Sequence, residues 1–345
     1  MSDPASTLAS NLEGKTIKGT VREWVVEKKL KGGGFSSGYR VRDGEGRIAF
    51  MKAINLAYAA DSTGFSGSKV DLMSNLFDEF KYERDLLKWC GEERLDRIVV
   101  SLDSGEYQEK AFSYFVPFLV FEFTGEGDVR KHTSMHAPGL AWRLRVFHGI
   151  CVGIRQLHSR DVVHQDLKPE NVLIFNKDVS KIADLGRSTS KSPHAKFNSP
   201  WHCGDLHYAP IELQYGHHAT DWAVRRKGAD LYMLAGLLAF LVADDHLLGR
   251  VLTRLPDAYH PLRWKGSFAD ALPAIRTATY DAIEELTAKL DPKIKKPIAD
   301  LMLWLAEPEP EKRGHPDTVT QAGGDRYSLE RIISVADRIA WAARA

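Results

Sequence analysis

Between residues 162 and 175 the chain reads VVHQDLKPENVLIF, and this short run sets a carboxylate, an ammonium and a carboxamide close together as Asp166, Lys168 and Asn171. A second carboxylate, Asp184 in ADLG, follows eighteen positions after Asp166, with apolar, strand-like residues between. These residue types suit one kind of chemistry. A carboxylate can orient an acceptor hydroxyl, an ammonium can steady a transferring phosphoryl group, and amide and carboxylate oxygens can ligate Mg²⁺. A polar turn that simply holds several carboxylates is the competing reading, and it must account for acid, ammonium and amide together.

The segment His164-Gln165-Asp166-Leu167-Lys168-Pro169-Glu170-Asn171 closely resembles the catalytic loop of the eukaryotic-type (Hanks-type) protein kinases, and Asp184-Leu185-Gly186 resembles their metal-binding DFG motif. The resemblance implies that Asp166 is the base, that Lys168 steadies the phosphate, and that Asn171 and Asp184 hold Mg²⁺, with Mn²⁺ as a substitute. Lys52 in RIAFMKAI matches the third-strand lysine that grips the α- and β-phosphates of ATP and pairs with a helix glutamate. Glu79 and Glu83 stand four apart and share a helix face, so spacing alone leaves both open as that partner. The register of ERDLLKW against the family pattern favours Glu83, with Glu79 as a solvated neighbour.

The glycine-rich stretch departs most from the family. Aligned with the bacterial-style pattern LGxGGxSxVxxARD, the run LKGGGFSSGYRVRD puts Lys31 at the first glycine, Gly33 at the second, Ser36 at the third, and Gly38 where a valine usually roofs the adenine. Backbone can still approach phosphates through Gly32, Gly33 and Gly34, because glycine carries no Cβ; a flexible hairpin tip is the plainer alternative. Two residues before Lys52 the family usually has alanine, and this chain has Phe50. Side chains two apart on a strand face the same way, so a volume exchange is expected, large at Phe50 and small at Gly38. By the same resemblance Leu173 forms the adenine floor, Phe121 is gatekeeper-like, backbone of Glu122 and Thr124 faces the adenine edge, and Asp128 reaches the ribose.

GDLHYAPIE resembles the end of an activation segment, in which Glu212 pairs with a buried arginine, here Arg313 of EPEPEKRGHP. Asp230 resembles the aspartate that braces the catalytic-loop backbone, although an ordinary helix cap is also open to it. Asp205 stands where serine/threonine-specific members carry a threonine; a carboxylate there can pair with Lys168, which bears on acceptor choice, while the KPEN wording favours serine or threonine. Gln165 replaces the arginine that binds a phosphorylated activation-loop residue in the family. It carries no charge, so Ser188, Thr189, Ser190, Ser192 and Ser199 are not expected to be obligatory phosphosites. Alanine at all five should leave basal transfer within about tenfold, roughly 1.4 kcal/mol of barrier. His194, His202, His207, His217 and His218 lack metal-ligand spacing and read as surface or packing residues.

The elements that must position these residues follow from pattern. VREWVVEKKL, YRVRDGEGRIAFMKAINL, RIVVSLDSGEY and YFVPFLVFEF read as strands, whereas NLFDEFKYERDLLKWC has helical spacing. After the connector TGEGD the chain becomes helix-rich. The expected fold is α+β, a bilobal kinase-like arrangement with a small β-rich N-lobe over 19–122 and a larger helical C-lobe over 123–319. Residues 1–18 read as a mobile tail and 57–75 as an inserted loop. The C-terminal extension 320–345 reads as a helix packed on the second lobe, through Leu329, Ile332, Ile333, Val335, Ile339 and Trp341, with partner binding as the minority reading.

Composition excludes several classes. With 47 basic and 46 acidic residues the formal net charge is +1, so no nucleic-acid partner is indicated. Cys90, Cys151 and Cys203 form no CxxC pair, which fits a reducing compartment. The first residues lack a signal-like apolar run, and LYMLAGLLAFLVA (231–243) is too short for a membrane span. The expectation is a cytoplasmic, ATP- and Mg²⁺-dependent kinase acting on serine or threonine of a protein substrate, itself included. A small-molecule phosphotransferase and a pseudokinase acting as an interaction module are the alternatives, and the sequence leaves the oligomeric state open.

Overall fold

The structure, a computed structural model, describes residues 7–32, 36–56, 68–109, 114–192, 195–198, 204–321 and 323–344. The chain divides into two compact units, one ending at Gly125 and the other beginning at Glu126.

In the first unit, alternation of apolar and polar residues builds a six-stranded antiparallel sheet in the order β1-β2-β3-β4-β6-β5. Its strands are β1 (Thr16–Lys18), β2 (Glu23–Gly32), β3 (Ser36–Asp43), β4 (Ile48–Ile54), β5 (Ser101–Gln108) and β6 (Phe115–Glu122). Along β4, Ala49, Met51 and Ala53 are fully buried while Phe50 and Lys52 take the opposite face, the period of two that a strand imposes. Residues 7–18, expected as a mobile tail, contribute to this core instead: Leu8, Ala9, Leu12 and Ile17 are buried with Trp24, Tyr39 and Phe118. The Tyr39 hydroxyl donates to the Ala9 carbonyl at 2.8 Å, and the Leu8 amide donates to the Tyr114 hydroxyl at 3.2 Å. The polar letters between those apolar residues had masked a short buried turn. Among the described residues the one long helix of this unit is α1 (Lys69–Glu92), whose first seven residues fall inside the expected insertion, so the loop reading fails over 69–75; residues 57–67 lie outside the described residues.

The second unit is helical. Its main helices are α2 (Val129–His136), α3 (Leu140–His158), α4 (Trp222–Ala243), α5 (Leu247–Arg254), α6 (Phe268–Thr287), α7 (Pro292–Ala306) and α8 (Glu330–Ala342). Among the described residues four short strands accompany them: β7 (Val162–Val163) pairs with β10 (Thr189–Ser190), and β8 (Val172–Phe175) pairs with β9 (Val179–Ile182). The apolar run 231–243 is the buried later part of α4, which is capped by Asp221 accepting from the Val224 amide at 2.9 Å. Among the described residues no single helix is long and apolar enough to cross a membrane. Helix α8 packs on α3 and α7 through Ile332, Val335, Ala336 and Ile339, so the C-terminal segment belongs to this unit's core; Trp341, expected on the apolar face, is 73% exposed. Cys90 and Cys151 are free, buried thiols.

Candidate functional site

In the first unit the central pair is Lys52 on β4 and Glu83 on α1. The Lys52 ammonium lies 3.2 Å from both carboxylate oxygens of Glu83, which is 4% exposed. Register therefore chose the partner that spacing left open. Gly38 stands directly across from Lys52 in the β3–β4 ladder, and Phe50 directly across from Phe121 in the β4–β6 ladder. The two phenyl rings sit 6.4 Å apart at a 37° tilt. Gly38, Phe50 and Lys52 thus share one face of the sheet, as strand alternation requires. Gly32, exposed, and Ser36, half-buried, end the β2–β3 hairpin, while Gly33 and Gly34 lie outside the described residues. Glu122 commits its amide to the Val100 carbonyl at 3.0 Å and its carboxylate to the Val100 amide at 2.8 Å. That leaves its amide unavailable to an adenine edge. Thr124 is half-buried in the irregular segment that follows β6.

In the second unit the chain from β7 runs into the catalytic-loop segment, whose shape is fixed from below by Asp230 of α4. This carboxylate, fully buried, accepts from the backbone amides of His164 at 2.8 Å and Gln165 at 2.9 Å, and lies 2.8 Å from His158 Nε2. Burial alone would raise its pKa; His158, through its hydrogen bond and its electrostatic attraction, and then His164 outweigh that and hold it below the ordinary carboxylate range. Asp230 lies inside α4, not at its cap, so the capping alternative is wrong. Bracing is needed because Gln165 adopts φ +66°, a left-handed conformation that costs a non-glycine residue about 1 kcal/mol or more.

That turn projects Asp166 into a polar cluster. Asn171 Nδ2 donates to the Asp166 carbonyl at 2.8 Å and to its Oδ2 at 3.0 Å, which turns the amide oxygen of Asn171 away from the carboxylate. The Asp205 amide donates to Asp166 Oδ1 at 2.8 Å. Lys168 Nζ lies 3.1 Å from Asp166 Oδ2 and 3.6 Å from Asp205 Oδ2, so the carboxylate that replaces the family's threonine does meet the lysine. Burial works to lower the Lys168 pKa, but Asp166, Asp205 and Asp184 together raise it, keeping the ammonium charged. Three carboxylates thus surround one cation, with the Asn171 amide beside them. This hard-oxygen donor set fits a Mg²⁺ ion held by Asn171 and Asp184. Asp184 itself sits at φ +61° just before a single helical turn, Leu185–Arg187.

Of the residues expected on the adenine and ribose side, Leu173 is the half-buried position of β8 and bridges to Asp128. Asp128 caps α2, accepting from the Lys131 amide at 2.9 Å, a structural task that the ribose assignment had not included. Lower in the unit, Arg313 and Glu212 meet in a two-pronged pair, Nη1 to Oε1 at 3.1 Å and Nη2 to Oε2 at 2.9 Å, with Arg313 fully buried.

One residue of the site had been missed. Gln165 is not merely an uncharged gap, because its amide oxygen accepts from Nη1 of Arg226, a 2% exposed arginine in the second turn of α4. Arg226 Nη2 also donates to the Phe197 carbonyl at 2.9 Å, and Gln165 Nε2 donates to the Arg187 carbonyl at 2.8 Å. Two carbonyls of the activation segment are therefore held by side chains of the catalytic loop and α4. The signal was present in WAVRRKGAD: if Asp230 faces the catalytic loop, the residue four earlier on the same helix, Arg226, faces it too. The phosphosite candidates also divide. Ser188 and Thr189 are fully buried, Ser190 is half-buried in β10, Ser192 is exposed, and Ser199 lies outside the described residues. His194 and His202 lie there as well, whereas His217 stacks on Phe268 at 4.8 Å in a packing role.

Comparison with known proteins agrees with this geometry. The family profile described as "Protein kinase domain" matches residues 24–323, and the chain belongs to the protein kinase family. It is 24% identical over 299 residues to the calmodulin-binding receptor-like cytoplasmic kinase 3 of Arabidopsis thaliana, covering 83% of this chain and 53% of that protein. It is 29% identical over 204 residues to the SNF-related serine/threonine-protein kinase of Rattus norvegicus, covering 56% of this chain and 25% of the relative. With an Aurora kinase of Saccharomyces cerevisiae it shares 24% identity over 213 residues, 59% of this chain and 48% of the other. The chain thus spans about half or less of the length of these relatives.

Proposed function

We propose that this chain transfers the γ-phosphoryl group of ATP to serine or threonine hydroxyls of protein substrates, itself among them, in the cytoplasm. The observation that carries the reading is the bonding around Asp166: Asn171 and the Asp205 amide orient its carboxylate, and Lys168 stays charged beside it. Asp166 would accept the proton of the incoming hydroxyl, and Lys168 would neutralise charge that grows on the transferring group. Lys52, held by Glu83, would grip the α- and β-phosphates. Mg²⁺, when bound by Asn171 and Asp184, supplies charge neutralisation on the phosphate oxygens. The barrier falls through positioning and fixed charge, with no covalent intermediate on the enzyme.

The same reading assigns control. In the family an arginine beside the catalytic aspartate answers to a phosphorylated activation loop; here Gln165 and Arg226 already bind carbonyls of that segment. A phosphate is therefore not required to hold it. The test is incubation of the purified chain with labelled ATP, Mg²⁺ and a mixed protein lysate beside Asp166→Ala, followed by phosphoamino-acid analysis. Asp166-dependent label on serine or threonine is expected. Label on small molecules alone, or none that depends on Asp166, would overturn the assignment.

A further inference from the structure

One group of side chains in the second unit takes no part in the phosphotransfer reading. Helix α2 carries His132 and His136 one turn apart on one face, with ring centroids 4.5 Å from each other. Glu126, which precedes the helix, places Oε2 3.2 Å from Nδ1 of His132. Taking one donor atom from each of the three, all lie within 4.8 Å of one another, and among the described residues no other trio of His, Cys, Asp or Glu does so.

His132 is the unusual member. It is 6% exposed, and its Nδ1 makes no aligned hydrogen bond although it faces the Glu126 carboxylate. The ring cannot easily turn away. Trp142 stacks on it at 4.7 Å and 12°, and that indole is pinned by its Nε1–H donating to the Lys177 carbonyl at 2.7 Å.

The spacing selects the kind of ion. Two ligands at ordinary zinc bond lengths in a tetrahedron are about 3.3 Å apart, close to the Glu126–His132 separation of 3.2 Å. His136, exposed at the end of α2, closes the remaining distance by rotation of its own side chain. Two imidazoles with one carboxylate disfavour Mg²⁺ and Ca²⁺, which prefer all-oxygen shells.

We propose that Glu126, His132 and His136 form a three-ligand site for a divalent transition-metal ion of the zinc class, with its fourth position open to water. Such an ion would tie the entry of the second unit to α2. That entry is already anchored, because Gly127 accepts from the Ile174 amide at 3.0 Å and Asp128 bridges to Leu173.

The test is titration of the full chain, free of ATP and Mg²⁺, with Zn²⁺ by calorimetry and with Co²⁺ by visible absorption. Wild type, His136→Ala and Glu126→Gln are compared; both changed residues lie outside the buried core, and melting curves confirm folding. One equivalent of Zn²⁺ at roughly micromolar affinity is expected, with Co²⁺ bands of tetrahedral intensity, and each variant should weaken binding about tenfold or more. Unchanged stoichiometric binding in both variants would place the ion elsewhere and overturn the site. So would an absence of saturable binding, which would leave a plain aromatic ladder of His136, His132 and Trp142. Neither result bears on phosphotransfer.

Discussion

Gln165→Arg restores the residue that the family's catalytic loop carries, and the structure says that the restoration should be harmful. Gln165 is fully buried and its amide oxygen accepts from Arg226, itself 2% exposed. A guanidinium at position 165 would face another about 4 Å away, and at an effective dielectric of 20 that repulsion is about 4 kcal/mol. Loss of the acceptor adds about 1 kcal/mol. Arg226→Met alone removes donors from Gln165 and from the Phe197 carbonyl, at about 2–3 kcal/mol, partly offset because a buried charge is removed with them. In that background Gln165→Arg should cost about 1 kcal/mol or less. Urea denaturation of the four proteins measures this cycle, and a coupling of about 4 kcal/mol is expected. A Gln165→Arg protein within 1 kcal/mol of wild type, or one whose cost is the same in both backgrounds, would refute the idea that Arg226 supplies the cation here.

Other outcomes test the remaining arguments. Alanine at Ser190 and Ser192 together should leave basal phosphotransfer within about tenfold, roughly 1.4 kcal/mol, and a larger loss would restore a phosphate requirement. Gly38→Val places a branched side chain across from Lys52 and beside Phe50, so the ATP KM should rise about tenfold; an unchanged or lower KM would end the volume-exchange account. Arg313→Met strands the buried Glu212 carboxylate and should lower unfolding free energy by about 3–5 kcal/mol in urea, and a change below about 1 kcal/mol would contradict it. His132, His246 and His315 are all held below the ordinary imidazole value of 6.5, with burial the first cause. Below that pH the unfolded chain binds more protons than the folded one, so stability present at higher pH is lost as pH falls. The depressed carboxyls of Asp205 and Asp230 act in the same direction at lower pH. The urea midpoint should be lower at pH 5.5 than at pH 7.5; a flat or rising trend would contradict the assignment.

The cluster around Asp166 could be grouped from the sequence because its residue types suit one chemistry and their spacing follows one strand-loop-strand path. Asp166, Lys168 and Asn171 needed no tertiary knowledge to be grouped. Glu83 needed only a register. What escaped was set by helix phase and burial: Arg226 looked like one of three basic residues opening a helix, and only its four-residue offset from Asp230 reveals its direction. His132 and His136 were hidden for the same reason, since HTSMH says nothing about Trp142 or about Glu126 before the helix. The N-terminal segment escaped because its apolar residues, Leu8, Ala9, Leu12 and Ile17, have neither strand nor helix period. Their burial depends on a sheet assembled from residues far along the chain.

That last feature sets an order of events during synthesis. The Leu8 amide meets the Tyr114 hydroxyl 106 residues later, and the Ala9 carbonyl meets Tyr39. At about 5–20 residues per second, the turn holding Leu8 waits roughly 5–20 seconds after its own synthesis before Tyr114 exists. Although it is made before the strands of its unit, this segment is therefore among the last of that unit to dock. Until then its leucines are exposed on a nascent chain, where a holdase would find them.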